Sequence, residues 1–159
     1  MSNYPWLSAT LVSMGLLGCM STPDQRAATD QRTVEAVGCT PGAGRCVVNV
    51  WVSDCQAPYN GIKTDPEKLS VPDRGLPKNI RWQIASEGYI FASDGIVIID
   101  PDGEFSEPSL SPNGQIFKWK DKHSVTKPPN KEYKYAVRVI KTGEVPRNCT
   151  VYDPWIINQ

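Results

Sequence analysis

Beyond Cys19 no segment keeps a 3.6-residue apolar period long enough to make a helix. The apolar residues come in runs of a few positions, cut apart by proline and glycine. The chain has 14 prolines and 12 glycines, a spacing that suits many short strands joined by turns. This punctuation predicts an all-β domain of about seven or eight strands, a single antiparallel β-sandwich, with a small barrel as the alternative.

The strands are read from alternation. Ile80, Trp82 and Ile84 alternate with Arg81 and Gln83, the pattern of a half-buried strand. Tyr89-Ile90-Phe91 follows, then a turn at Ala92-Ser93-Asp94-Gly95. Next, Ile96-Val97-Ile98-Ile99 is a continuous apolar run that reads as a strand buried on both faces. Val48, Val50 and Val52 form one face of an earlier strand, with Asn49 and Trp51 on the other. Tyr133, Tyr135, Val137 and Val139 form the clearest amphipathic strand. Weaker signals surround Ile62 and Leu69-Val71, and Ile116-Phe117-Lys118-Trp119 reads as a strand. Residues 106–114 read as a loop, with Phe105 and Leu110 turned inward. The last strand spans Cys149 to Ile157, and the Asp153-Pro154 break suggests an edge position or a bulge.

At 159 residues the chain has room for one domain plus appendages. Its 17 basic and 17 acidic residues balance, so nothing electrostatic calls for a nucleic-acid partner. Five cysteines without a C-x-x-C pair, behind an apolar N-terminus, point to an oxidising compartment.

The apolar N-terminal stretch is too short and too poorly flanked for a membrane-spanning helix. It ends at Leu16-Leu17-Gly18-Cys19, which resembles the bacterial lipobox. The resemblance implies a signal peptide over residues 1–18, cleavage before Cys19, and lipidation of the Cys19 thiol. It departs from the pattern in having no Lys or Arg before Cys19. Residues 19–38 are Ser-, Thr-, Asp- and Gln-rich and read as a flexible tether. In enterobacterial lipoproteins an Asp after the lipidated Cys marks inner-membrane retention. Met20 stands there instead, so the resemblance implies the outer membrane, with the domain of residues 39–159 in the periplasm.

With Cys19 lipidated, Cys39, Cys46, Cys55 and Cys149 remain, and an even number suggests two disulfides with three connectivities. Cys39 and Cys46 flank the turn residues Thr40-Pro41-Gly42-Ala43-Gly44, where a hairpin bridge is easy. That leaves Cys55 with Cys149. A thiolate metal site lacks both a C-x-x-C pair and a neighbouring His.

Tyr133-Lys134-Tyr135-Ala136-Val137 resembles a strand of cupredoxins and also one of immunoglobulin-like domains. Val137 stands where cupredoxins place their ligand cysteine, and the chain has 1 His, so a blue-copper site is not expected. No cofactor and no metal are expected. His123, beside Asp121 and Ser124, reads as a solvated loop histidine rather than a catalytic base, because sequence neighbours seldom face each other across a cleft. Asp100-Pro101-Asp102-Gly103, followed by Glu104, lacks the remainder of an EF-hand loop and reads as a tight turn. Trp82 and Trp119 read as core, and Trp51 and Trp155 as the candidate contact surface.

No catalytic residue is assigned. The expectation is a non-catalytic lipoprotein that binds or inhibits another envelope protein, or supports an envelope assembly. In layout it resembles lysozyme inhibitors and toxin-immunity proteins. The alternative is a module for a small ligand or glycan.

Overall fold

The structure, a computed structural model, describes residues 37–57, 61–143 and 145–159. The lipobox with Cys19 and most of the tether lie outside the described residues, as do Pro58-Tyr59-Asn60 and Glu144. Gly38, the last residue assigned to the tether, already belongs to the first strand.

All eleven elements are strands, and the described residues contain no helix. They are β1 (Gly38–Cys39), β2 (Arg45–Val52), β3 (Ile62–Asp65), β4 (Lys68–Val71), β5 (Lys78–Ile84) and β6 (Tyr89–Ile98), then β7 (Phe105–Leu110), β8 (Ile116–Asp121), β9 (Lys131–Lys141), β10 (Arg147–Asn148) and β11 (Trp155–Asn158). One sheet runs β1-β2-β5-β8-β7, with β3 also on β2. The other runs β10-β9-β11-β4, with β6 on the free side of β9.

Both sheets are mixed, which corrects the antiparallel expectation. β2 pairs with β5 in parallel, Val48 opposite Trp82, and β4 pairs with β11 in parallel, Leu69 opposite Ile156. Parallel neighbours need a crossover rather than a tight hairpin. For β2 and β5 the intervening chain supplies it: β3 stays in the first sheet, β4 joins the second, and β5 returns. Period-two alternation fixes which side chains face inward and carries no information on strand direction.

The inner faces of the two sheets share one core. Trp82, Ile80 and Phe117 from the first sheet meet Tyr135, Phe91 and Tyr133 from the second. Three edge-on ring pairs join the sheets: Trp82–Tyr135 at 5.4 Å, Phe91–Phe117 at 6.1 Å and Phe105–Tyr133 at 4.9 Å. Each such pair adds about 0.5–1.5 kcal/mol beyond its buried area. Trp119 packs against this core and donates its indole N–H to the Ile96 carbonyl at 3.0 Å.

Four local expectations change. Asp94-Gly95 does not reverse the chain: β6 continues through it, and the register against β9 shifts between Phe91 and Ile96. Gly95 is needed there because a Cβ would lie 2.6 Å from that of Phe91. The run Ile96–Ile99 is buried on one face only, since Ile99 is 43 % exposed. Of residues 106–114, read as loop, the first five belong with Phe105 to β7, paired with β8 around a bulge at Glu107 and Pro108. The C-terminal segment is two strands, with Tyr152 bridging Val137 between them. Pro154 does interrupt it, yet β11 lies between β9 and β4, not at an edge.

Two disulfides are formed. Cys39 and Cys46 stand opposite each other on β1 and β2. Cys55, just beyond β2, bonds Cys149, just beyond β10, and so ties one sheet to the other.

Candidate functional site

The two tryptophans expected to form one contact surface point away from each other. On β2 the inward residues are Cys46, Val48, Val50 and Val52, which sends Trp51, 49 % exposed, to the outer face of the first sheet opposite Lys63. On β11 the inward residues are Ile156 and Asn158, which sends half-buried Trp155 to the outer face of the second sheet. The shared core separates them.

Trp155 stands in a concavity. An open groove of about 730 Å³ runs along the end of the second sheet, lined by Ile99, the β6–β7 turn, the start of β9, and Trp155. Strand register explains the juxtaposition. Lys134 pairs with Trp155 on one side, and its carbonyl accepts from the Ile99 N–H at 2.8 Å on the other. The turn Asp100-Pro101-Asp102-Gly103 is closed by the Glu104 N–H donating to the Pro101 carbonyl at 2.8 Å. Lys127 (2.8 Å) and Lys131 both hold the Asp102 carboxylate, and their hydrogen bonds lower its pKa to about 2. Lys134 reaches Asp153 at 3.2 Å. Among the described residues the carboxylates of Asp100 and Glu132, both exposed, find no partner.

Behind this groove the end of the core is polar. Asp121, His123, Glu104, Asn158 and Lys78 are all buried, between 0 and 6 % exposed. The placement of His123 overturns the solvated-loop reading: it is 1 % exposed. Its Nε2 lies 3.0 Å from the backbone oxygen of Gln159, which can only accept, so Nε2 carries the proton. Asp121 Oδ1 accepts from the His123 backbone N–H at 2.9 Å and from Asn158 Nδ2 at 3.3 Å. Glu104 accepts from the Ser124 N–H at 2.7 Å. The end of β8 is thereby fastened to the end of β11, one strand from each sheet. Lys78 is turned the other way, onto Asp73 at 2.8 Å and the Ala43 carbonyl at 2.7 Å. Asp73 in turn accepts from the Gly42 N–H and holds the loop of the short disulfide. In the sequence Lys78 precedes the alternating run that starts at Ile80, and Asp121 follows Ile116-Trp119, so alternation gives no sign that either side chain turns inward.

This cluster is not arranged as a nucleophile and its base. The Ser124 hydroxyl is bonded to Thr126 Oγ1 at 2.7 Å, and the His123 ring faces Gln159. Asp121 Oδ2, His123 Nδ1, Asn158 Oδ1 and the Tyr133 hydroxyl are buried without partners. Among the described residues no three His, Cys, Asp or Glu side chains are grouped to hold a metal ion. Burial raises the pKa of Tyr133 to about 12, with Glu104, Asp102 and Asp121 adding to the effect.

Burial also pushes the Asp121 carboxyl up from its ordinary 3.8, against the His123 N–H bond, which pulls it down. The folded state holds this proton more tightly than the unfolded state, so the stabilisation is fully present below pH 3.8 and is lost as pH rises through the folded value. Asp121→Asn keeps the Oδ1 acceptor and removes the titration. Its stability relative to wild type should therefore improve between pH 4 and pH 8 in urea melts. A difference that stays flat across that range would show that Asp121 does not titrate with folding.

No family model matches this chain, and no curated protein matches it.

Proposed function

We propose that this chain is a lipid-anchored, exported binding domain that acts by contacting another protein of the bacterial envelope and catalyses no reaction. The observation that carries the reading is the groove beside Trp155: a half-buried aromatic, an exposed Ile99 and unpaired carboxylates line it together. A hydrophobic anchor with a polar surround is the usual make-up of a protein contact. The two disulfides support an oxidising compartment. The lipobox resemblance at Leu16-Leu17-Gly18-Cys19 supports anchoring through Cys19, and Met20 the outer membrane, with the domain in the periplasm. We read the two sheets as a single β-sandwich. The parallel pairings β2–β5 and β4–β11 speak for a cupredoxin-like rather than an immunoglobulin-like arrangement, whose sheets are antiparallel.

The test is a photo-crosslinking amino acid placed in the full chain in cells, at Ile99 beside the groove or at Trp51 on the opposite face. Ile99 should give a discrete adduct with one envelope protein, and Trp51 none. Adducts from Trp51 alone, or a smear of equal intensity from both, would reject the groove as the contact.

A second reading, a glycan-binding module, has one observation in its favour. A groove of about 730 Å³ with an aromatic wall and nearby carboxylates suits a short oligosaccharide.

A further inference from the structure

We infer that the groove beside Trp155 takes an arginine side chain of a partner protein, held by Asp100 and Glu132; this rests on the binding reading above and names the chemistry of the partner. Five charged residues line the groove: Asp100, Asp102, Glu132, Lys131 and Lys134. Lys131 is committed to Asp102, which Lys127 also neutralises, and Lys134 is committed to Asp153. The Asp100 and Glu132 carboxylates are left without a partner, both acceptors only, and since two lysines share Asp102 the four carboxylates and three lysines here leave one negative charge over. A ligand that satisfies them must bring donors and positive charge.

Trp155 sharpens the choice. The face of an indole attracts a cation, and a guanidinium both stacks on it and donates two parallel hydrogen bonds to a carboxylate. An ammonium is a more strongly hydrated point charge and does the first less well and the second not at all. Exposed Ile99 and half-buried Pro101 offer aliphatic surface for the methylene stem of the same side chain. A neutral sugar would use the aromatic wall and leave that surplus negative charge unanswered.

The experiment uses the full chain in a non-ionic detergent, with hexa-arginine as probe and hexalysine and tri-N-acetylchitotriose as comparators, read by amide and indole NMR shifts at low salt. Hexa-arginine should bind more tightly than hexalysine, with shifts concentrated at Ile99, Lys134 and the Trp155 indole. Asp100→Asn with Glu132→Gln should weaken that binding at least tenfold. Trp155→Leu should reduce the preference for arginine over lysine. The carboxylate variant alters exposed groups only, so it keeps the test decisive even where Trp155→Leu fails to fold. Shifts scattered over other acidic surface, affinity unchanged in the double carboxylate variant, or binding of the chitotriose in the groove without binding of hexa-arginine would overturn the inference. An Ile99 adduct in cells combined with no arginine binding would remove this inference and leave the binding function standing. Arginine binding without any adduct would remove the envelope-protein partner, and with it this inference, and leave only the affinity of the groove for a guanidinium.

Discussion

Replacing Cys55 and Cys149 together by serine should lower the stability of the domain by about 2–5 kcal/mol, the usual loss for a native bridge in a small exported domain. The bridge spans 94 residues of sequence, so its loss releases a long stretch of the unfolded chain from constraint. In the folded state it joins the first sheet to the second. Around it the Thr150 N–H donates to the Cys55 carbonyl at 3.0 Å, and the Cys149 N–H to the Val139 carbonyl at 2.9 Å. Both half-cystines are buried, at 5 and 8 % exposure, so the variant also places two hydroxyls in apolar surroundings. Replacing Cys39 and Cys46 should cost roughly 2 kcal/mol less on the closure term, because that loop spans 7 residues. Their strands also remain paired by backbone hydrogen bonds without the sulfurs. Urea melts of the full chain in detergent, for each double variant against wild type, measure both losses. Equal losses for the two bridges, or a wild-type midpoint without Cys55 and Cys149, would count against the cross-sheet bridge as the principal staple.

The other large effect is expected at the anchor. Cys19→Ala should abolish incorporation of labelled palmitate and move the protein from the membrane fraction to the soluble one. Two or three acyl chains hold a protein stably on a bilayer, whereas a single chain binds only marginally, so loss of the acceptor thiol leaves nothing comparable in its place. The lipoprotein reading is sunk by a Cys19→Ala protein that stays membrane-bound together with a wild type that takes up no label. The two predictions are independent, because the bridge lies within residues 55–149 and the anchor outside the described residues.

The strand content was legible because inward-facing apolar residues repeat every second position. Tyr133, Tyr135, Val137 and Val139 all face the core, as their alternation requires. The alternation failed where a strand is irregular. β6 keeps its course through Asp94-Gly95 by shifting register, and a bulge of that kind carries the same residues as a turn. β7 was missed because an edge strand with Pro108 and a bulged Glu107 has no apolar period to read. Of the candidate site, Trp155 was legible as an outward residue and its groove was not. The wall opposite Trp155 comes from Ile99 and the β6–β7 turn, more than fifty residues earlier, and only the pairing of β9 with both β6 and β11 brings them together.

The sequence by itself determined that the described chain is built of strands, which faces are apolar, and which cysteine pairing is easiest, because these depend on neighbours within a few positions. Strand direction, the separation of Trp51 from Trp155 and the burial of His123 were decided only by the tertiary structure. β2 and β5 lie parallel because the chain crosses to the other sheet between them. His123 is inside because Asn158 and Gln159, thirty-five residues later, close over it and bond Asp121 and the imidazole. A polar side chain is stable in a core when distant partners satisfy it, and those partners come from strands that the local sequence of His123 does not specify.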